Sequence, residues 1–210
     1  MAYRATEFTE NRKAQTRQRL LKEAKKLVAE GGFRSLSIAE LAQRSAIATG
    51  TVYRYFPSKS ELCVAVFEQA TEREIEAVTE ASRQVHDPVE QLQLALQCFI
   101  QRAMKNPNLA YALIAEPVDP ELEHTRLTYR AQWAEVFSCL IKHGVKAGVF
   151  IPQPEQLCAT ALVGAMAETV ILPLQQLRHE AGNSTPLTQT HCQQIVAFCL
   201  RAVVKPESRT

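Results

Sequence analysis

The stretch TGTVYRYF, at residues 49–56, carries five side chains that can donate or accept hydrogen bonds within seven consecutive positions. Val52 and Phe56 stand four residues apart, so both can point inward from a helix. The exposed and flanking faces are then left to Thr49, Thr51, Tyr53, Arg54 and Tyr55. The chemistry that this pattern offers is hydrogen bonding from a rigid helical surface.

Two residues beside this surface suit a phosphate group. Gly50 has no side chain, so another backbone can approach closely at the helix start. The free amides and the positive end of the helix dipole at that start favour an anion. Lys59, in the first turn of the next helix, adds a point charge. The pattern therefore favours an anionic partner.

Two helix starts define how the surface is held. Ser37 stands three residues before Glu40, and Ser58 stands three residues before Glu61. In each pair the serine can accept from an amide of the first turn while the glutamate bonds back to the serine amide. A short helix, a turn of about four residues and the polar helix together predict a helix-turn-helix.

The run IATGTVYRYFPSKSEL, with GGFRSLSIAELAQRS upstream, resembles the DNA-binding domain of the TetR family of transcriptional repressors. In that family a Gly-Thr-hydrophobic-Tyr-x-Tyr/His-Phe recognition helix is followed by x-x-Lys-x-x-Leu. The resemblance, which covers the first third of the chain, implies that the polar side chains of residues 49–55 face DNA and that Lys59 and Ser37 contact phosphates. Ala48 departs from the pattern, because family members usually place a capping residue there.

The charge distribution supports a polyanionic partner for the first part of the chain. Residues 1–60 contain 12 Lys and Arg against 5 Glu, whereas residues 61–210 contain 12 against 17 acidic residues. Lysines and arginines that neutralise phosphates release condensed counterions, and Arg17 is the candidate for such a contact on the first helix. Tyr53 and Tyr55 could alternatively belong to the core of a small helical domain.

Apolar periodicity and proline punctuation predict an all-α chain. A three-helix helix-turn-helix domain is expected at 1–67 and a helical ligand-binding and dimerisation domain at 68–210. Four residue pairs place a capping residue before a proline at a helix start: Asp87-Pro88, Asn106-Pro107, Asp119-Pro120 and Thr185-Pro186. Helices are predicted at about 11–30, 38–44, 49–56, 58–84, 88–105, 107–115, 120–147, 154–177 and 186–203.

An effector site is expected where polar groups stand among apolar ones. The helix at 120–147 carries five candidate ligand-binding residues at spacings of three and four: Arg126, Tyr129, Arg130, Trp133 and Phe137. Two further candidates, Phe99 and Glu168, come from neighbouring helices. Glu168 interrupts an apolar run, so a buried carboxylate paired with Arg126 or Arg130 is expected. That pair could be a structural salt bridge or part of a pocket, and Pro173 is expected to bend or end the helix.

Homodimerisation is expected through the last two helices, as the resemblance implies. The helix from Glu155 carries small residues that permit close packing, and the last helix offers a second apolar face; these residues are Ala159, Ala161, Gly164, Ala165, Ala167, Ile195, Val196, Cys199, Ala202 and Val203. Two helices from each subunit would form a four-helix bundle. The alternative is that the same residues pack an internal core.

The sequence indicates no cofactor, metal site or catalytic residues. The six cysteines have no C-x-x-C spacing and are expected to be reduced and buried, although redox sensing by one of them stays open. No Gly-rich phosphate loop, G-x-S-x-G or H-E-x-x-H motif occurs. Glu168 and Pro173 interrupt the longest apolar run, and the N-terminus lacks an apolar signal region, so a cytoplasmic protein with no membrane span is expected.

Together these features predict a DNA-binding transcription regulator rather than an enzyme. The resemblance implies a homodimer, most often a repressor, that binds a palindromic operator in double-stranded DNA and releases it when a small hydrophobic effector binds. The alternative is a DNA-binding regulator controlled by a protein partner through its acidic second part. A second domain without an enclosed cavity would favour that alternative.

Overall fold

A computed structural model describes residues 7–179 and 189–206, apart from the side chains of residues 7–9 and 179. Within these ranges the chain forms helices and no strand, with one isolated antiparallel bridge between Phe150 and Val204, so the all-α prediction is confirmed. The helices are α1 (Glu7–Ser35), α2 (Ile38–Arg44), α3 (Thr49–Tyr53), α4 (Lys59–Ser82), α5 (Pro88–Lys105), α6 (Pro107–Ile114), α7 (Pro120–Lys146), α8 (Glu155–His179) and α9 (Gln189–Arg201).

The predicted caps start most of these helices. Ser37 Oγ accepts from the Glu40 amide at 3.4 Å, and Ser58 Oγ accepts from the Glu61 amide at 3.0 Å. The return bond predicted for Glu40 is replaced, since its carboxylate accepts from Arg44 at 2.6 Å. Aspartates cap α5 and α7 as predicted, but Asn106 makes no side-chain cap bond at the start of α6.

Three of the predicted boundaries differ clearly from the structure, and a fourth cannot be compared. α1 already begins at Glu7, and α3 ends at Tyr53 rather than at residue 56. α8 continues past Pro173 to His179, so the proline does not end it. The predicted helix start at Thr185-Pro186 lies outside the described residues.

Two hydrophobic clusters form the core, and α4 contributes to both. The first cluster joins α1, α2 and α3 to the first half of α4, up to Phe67, and it also includes Leu109 and Ala112 of α6. The second cluster joins Val78 of α4 to α5, α7, α8 and α9. A rod of 24 residues spans about 36 Å at 1.5 Å per residue, so α4 mechanically connects the two halves of the chain.

Gly32 breaks α1 just before the chain enters α2. Its φ of 81° and ψ of 178° lie in a region that is essentially restricted to glycine. The break frees the amides of Phe33 and Arg34, which donate to the two carboxylate oxygens of Glu116 at 2.9 and 3.1 Å. Glu116 lies between α6 and α7 and is only 3% exposed. A buried carboxylate thus ties the end of α1 to the second half of the chain.

Gly32→Ala is expected to lower the free energy of unfolding by about 1–3 kcal/mol through backbone strain alone. A further loss should come from the new methyl group, because a Cβ at this position would lie 2.5 Å from the Glu116 carboxylate. Urea unfolding followed by circular dichroism measures the total.

Gly148→Ala is the matched control, since Gly148 also has a positive φ, of 77°, but a Cβ there would meet nothing within 4 Å. Equal losses for Gly32→Ala and Gly148→Ala would mean that the Glu116 contact imposes no steric constraint.

Candidate functional site

The polar face predicted for residues 49–55 is largely on the surface. Val52 and Phe56 are 0% and 2% exposed, which anchors the short α3 to the first cluster as predicted. Thr49 and Arg54 are exposed, and Tyr53 is 47% exposed. A tyrosine this open on a structured helix does not contribute its ring to the core, which disfavours the core alternative for Tyr53.

Thr51 and Tyr55 are less exposed than the predicted polar face requires. Both are half-buried, and Tyr55 packs against the first hydrophobic cluster. The reason is helical periodicity: Thr51 and Tyr55 are four residues apart and lie about 200° around the helix from Thr49 and Tyr53. Part of the Tyr55 ring therefore belongs to the core, as the alternative reading allowed.

Four further residues are expected to contact phosphate or the DNA backbone, and they lie on α1, at the start of α2, on α3 and on α4. Lys59 is exposed in the first turn of α4, and Arg17 of α1 lies with its guanidinium carbon 5.1 Å from the centroid of the Phe56 ring. Ser37 caps α2, and its hydroxyl proton stays available because the cap uses the oxygen as an acceptor. A Cβ at Gly50 would meet nothing within 4 Å, so the fold itself does not require glycine there.

Ala48 leaves α3 without a side-chain cap. It occupies the cap position with extended backbone angles, and no side-chain hydrogen bond closes the first turn. The Thr51 amide donates to the Ala48 carbonyl at 2.8 Å, so the amides left without a side-chain cap are those of Thr49 and Gly50.

A cavity of about 90 Å³ lies between α4, α5, α6, α7 and α8. Five of the seven residues predicted to bind an effector line it: Phe99, Arg126, Tyr129, Arg130 and Trp133. The rings of Phe99 and Trp133 meet edge to face with their centroids 5.3 Å apart. The spacing of three and four along α7 thus places these side chains on one wall.

Phe137 and Glu168 do not line the cavity. Phe137 is fully buried in the second cluster, one turn beyond Trp133. The expectation of a buried Glu168 carboxylate paired with Arg126 or Arg130 is wrong: Glu168 is exposed on α8, and its neighbour Ala167 faces the cavity instead. Only one face of the apolar run around Glu168 packs against the rest of the chain, and the sequence alone does not show which residues lie on that face.

Sequence reasoning missed the walls formed by α4 and α6. These helices contribute Phe67, Thr71, Val78, Leu109, Leu113 and Ile114. On α4 the spacing of Phe67, Thr71 and Val78 follows one helical stripe, and a threonine within an otherwise apolar stripe was the available signal. Nothing in the short α6 distinguishes a cavity wall from ordinary core.

Arg126 is a structural anchor at the edge of this cavity. It is 5% exposed, and its guanidinium donates to the backbone oxygens of Ala112, Leu113 and Glu116 at 3.2, 3.1 and 2.8 Å. It also donates to the Glu123 carboxylate. Burial lowers the pKa of Arg126 from its ordinary value, partly offset by Glu123. These bonds fix the C-terminal end of α6, whose last carbonyls have no partner within the helix.

Tyr129 connects α7 to α4. Its hydroxyl donates to Glu72 at 2.9 Å, and its ring meets Phe67 edge to face at 5.6 Å. Burial, followed by the hydrogen bond to Glu72, raises the pKa of Tyr129, so the phenol stays protonated at neutral pH.

Arg126 and Glu116 link the cavity to α1 through consecutive contacts. Arg126 lines the cavity and holds the Glu116 backbone oxygen, while the Glu116 carboxylate holds the amides of Phe33 and Arg34. α6 also packs directly on α1, with Asn108 donating to the Glu30 carbonyl at 3.4 Å. A displacement of the cavity wall can therefore reach the helices that carry the polar surface.

The expectation of buried cysteines is confirmed for Cys63 and Cys199 but is wrong for Cys139, which is exposed. The buried thiols are poorly suited to redox chemistry. Burial raises the pKa of Cys63 and of Cys199 to about 11, which leaves little reactive thiolate at neutral pH. Burial raises the pKa of Cys98, Cys158 and Cys192 in the same direction. No group of three potential metal ligands occurs among the described residues.

α8 alone in the described chain is long and apolar enough to cross a membrane, with a mean hydropathy of 1.8 over Glu155–Arg178. This is weak evidence, because core helices of soluble proteins pass the same test, and α8 packs along α7 in the second cluster. Only 28% of that window is buried.

A helix-turn-helix with an exposed polar face, joined by a long helix to a helical region around a largely apolar cavity, is typical of one class of protein, the DNA-binding transcription regulators. Two family models match within this architecture. Bacterial regulatory proteins of the tetR family match residues 20–66, and the tetracyclin repressor-like C-terminal domain matches residues 85–171. The chain belongs to the TetR family, whose members are DNA-binding transcription factors and not enzymes.

Individual relatives agree with this assignment. The HTH-type transcriptional repressor KstR of Rhodococcus jostii is 30% identical over 109 residues, which cover 51% of this chain and 50% of KstR. KstR of Mycolicibacterium smegmatis is 32% identical over 98 residues, which cover 46% of this chain and 48% of that protein. The chain thus spans about half the length of the curated relatives it matches.

A solved structure with the same fold is FadR from Bacillus subtilis in complex with stearoyl-CoA. It aligns with a TM-score of 0.73 at 18% identity, covering 87% of this chain and 97% of FadR. At this identity the likeness establishes the fold alone, so the ligand of the present chain has to be inferred from its own cavity.

Glu116→Gln is expected to accelerate amide hydrogen exchange at Phe33 or Arg34 by roughly tenfold to a hundredfold. The reason is that one oxygen becomes an NH2 group, which cannot accept, and a hydrogen bond to a charged group contributes about 1.5–3 kcal/mol. Exchange followed by NMR at single-residue resolution measures the effect.

Glu121→Gln is the control for Glu116→Gln, because Glu121 is an exposed glutamate close to Glu116 in the sequence. If exchange at both amides stays unchanged in Glu116→Gln, the carboxylate does not hold the end of α1.

Proposed function

We propose that the chain is a homodimeric repressor that binds a palindromic operator through residues 49–55 and releases it when a small hydrophobic effector fills the cavity. The observation that carries this proposal is the exposure of Thr49, Tyr53 and Arg54 on a helix anchored by Val52 and Phe56. Polar side chains held rigidly on a convex element suit the major groove, where hydrogen-bond patterns distinguish base pairs.

The phosphate contacts proposed for this interface are Arg17, Ser37 and Lys59. Arg17 lies over the Phe56 ring, Ser37 caps α2, Lys59 is exposed in the first turn of α4, and each keeps a proton to donate. Gly50 would admit the DNA backbone at close range, since the fold leaves open space at its α-carbon. Contacts of this kind set the position of the protein on DNA, while base contacts set its specificity.

The proposed division places the DNA-binding domain at residues 1–67 and the effector-binding and dimerisation domain at 68–210. Phe67 is the last residue of α4 in the first cluster, and Val78 belongs to the second. Both domains share α4 without a linker, so a tilt of this helix would change the position of the DNA-binding domain.

Dimerisation is proposed through the exposed apolar faces of α8 and α9. Leu157 and Leu172 of α8 are 68% and 63% exposed, and Phe198 of α9 is 57% exposed. Ala161 and Gly164 lie on the same exposed stripe and would allow close helix packing. Other residues expected in this interface, Ala159, Val196, Cys199 and Val203, pack in the chain's own core instead. Two α8–α9 pairs would form a four-helix bundle with twofold symmetry.

Control by an effector is favoured over control by a protein partner because the second domain encloses a cavity. Its wall includes Arg126, whose bonds fix the end of α6 and the Glu116 backbone. A ligand that moves this wall would strain the contacts of Glu116 with α1. The coupling is reciprocal, so operator DNA would weaken the effector by the same factor. Such a regulator would work in the cytoplasm, where its DNA is.

The purified protein is expected to bind the DNA that flanks its own gene specifically, because regulators of this kind commonly control neighbouring genes. A mobility shift at fixed salt with excess random competitor measures this, and footprinting should reveal two half-sites about one helical turn or a multiple apart. If random competitor DNA displaced the protein completely at every salt concentration tested, the protein would not recognise that region by its sequence.

Arg54→Ala is expected to reduce discrimination at particular base pairs by about 1–3 kcal/mol for each lost bidentate contact. Tyr53→Ala should instead weaken binding to operator and random DNA alike. Competition binding with operator variants measures both effects.

Arg83→Ala is the control, since Arg83 is an exposed cation at the far end of α4. Equal losses on operator and random DNA for Arg54→Ala would remove Arg54 from the base-reading residues.

A further inference from the structure

One buried hydroxyl in the cavity wall has no hydrogen-bond partner in the described chain. Thr71 is 4% exposed, lines the cavity, and its Oγ1 is unpaired. Helical threonines often bond the carbonyl four residues back, as Thr169 does with Ala165 at 2.7 Å. Thr71 makes no such bond. A buried hydroxyl beside an apolar cavity is destabilising unless something in the cavity supplies the bond.

One cation of the cavity also lacks a partner. Arg102 donates to both carboxylate oxygens of Glu74, at 2.5 and 3.0 Å, and Arg126 is fully engaged with Glu123 and backbone oxygens. In the described residues no carboxylate pairs with Arg130, which lines the cavity and is exposed. Arg130 therefore stands at the mouth with an unbalanced positive charge, which favours an anionic group there.

Between these two polar points the lining is aromatic and aliphatic. Phe99 and Trp133 form an edge-to-face pair, and Val78, Leu113 and Ile114 complete the surrounding surface. An aromatic pair of this geometry can take a third ring in an offset or edge-on arrangement.

Because the cavity serves as the effector site in the proposed function, the following inference rests on that proposal. We propose that the ligand is a small aromatic acid with a single ring and a hydroxyl group. Its ring lies against Trp133 and Phe99, its carboxylate pairs with Arg130 at the mouth, and its hydroxyl bonds to Thr71 inside.

The size of the cavity supports a single ring. An apolar cavity of about 150 Å³ binds benzene, and this cavity measures about 90 Å³. One ring would enter with a small outward movement of the wall, whereas a long acyl chain would require the helices to separate.

The test is a titration of the full chain with four probes. 4-Hydroxybenzoate carries all three features, benzoate lacks the hydroxyl, 4-hydroxybenzyl alcohol lacks the carboxylate, and octanoate lacks the ring. Calorimetry gives the affinities, and fluorescence reports the location, because Trp133 is the one tryptophan of the chain. 3-Hydroxybenzoate is included to allow for the position of the hydroxyl. The hydroxybenzoates should bind most tightly and should change the fluorescence of Trp133.

Two variants assign the polar contacts. Thr71→Val keeps the side-chain shape and should lower the affinity for the better hydroxybenzoate by about tenfold while leaving benzoate unchanged. Arg130→Gln should lower the affinity for both acids by about tenfold and leave 4-hydroxybenzyl alcohol unchanged.

Ser45→Ala and Lys142→Gln are the matched controls. Ser45 is the other buried hydroxyl without a partner among the described residues, and it lies outside the cavity. Lys142 is an exposed cation on α7 that does not line the cavity. Neither change should alter any probe affinity. Circular dichroism establishes that each variant is folded.

Three results would overturn the inference. No binding of any ring probe at millimolar concentration would exclude the ligand class, and tighter binding of octanoate would exclude the ring. Equal losses for benzoate and hydroxybenzoate in Thr71→Val would exclude the hydroxyl contact.

Operator binding in the same preparation separates this inference from the proposed function. Operator binding without probe binding would reject the ligand class alone. Probe binding with the expected variant pattern, but without release of the operator, would reject ligand-controlled repression and keep the ligand class.

Discussion

The arrangement of the two halves depends on the hydrogen bonds that the buried carboxylate of Glu116 accepts. It accepts from two consecutive amides at the break in α1, and it can do so only because Gly32 adopts a backbone conformation closed to other residues. The acid is buried, so losing either partner would leave a charge without adequate hydrogen bonds. The end of α1, and with it the start of α2, is therefore positioned by a residue that belongs to the loop before α7.

The same residue is held from the other side by Arg126. Arg126 is a cavity residue whose hydrogen bonds all go to the protein, which makes it a poor direct ligand contact but a good sensor of wall position. Any shift of α6 changes the distances to its carbonyls, and those bonds are strong because the donor is charged and buried. Arg126 is therefore a structural anchor in the part of the cavity wall that a ligand would contact.

The sequence was sufficient for features that local chemistry determines. Ser58 and Asp87 start helices because their side chains accept from amides in the first turn, and Val52 and Phe56 are buried because they are four residues apart on one face. Features that depend on packing could not be predicted from the sequence. Glu168 was misplaced because its exposure depends on which face of α8 meets α7, and the Glu116 contact joins residues that are 83 positions apart.

Some helix ends followed the local pattern and others did not. Two consecutive glycines predicted that the first helix stops, and Gly32 does break it, while the amides that follow the break bind Glu116. The polar face of α3 was predicted as one continuous helix to Phe56, but the chain leaves the helix after Tyr53 and buries part of Tyr55. The exposed polar face of α3 thus carries fewer side chains than the sequence pattern suggested.

The small volume of the cavity bears on how a ligand could act at a distance. A ligand that fitted a preformed space would move nothing, and binding would then have no differential effect on two conformations. The cavity of about 90 Å³ is smaller than the apolar cavity of about 150 Å³ that binds benzene, so an aromatic ligand is expected to displace part of the wall. α6 is a helix of eight residues that contributes to both clusters, packs on α1 and is fixed at its end by Arg126. In the proposed function, displacement of α6 would carry the effect of a bound ligand from the cavity to the end of α1.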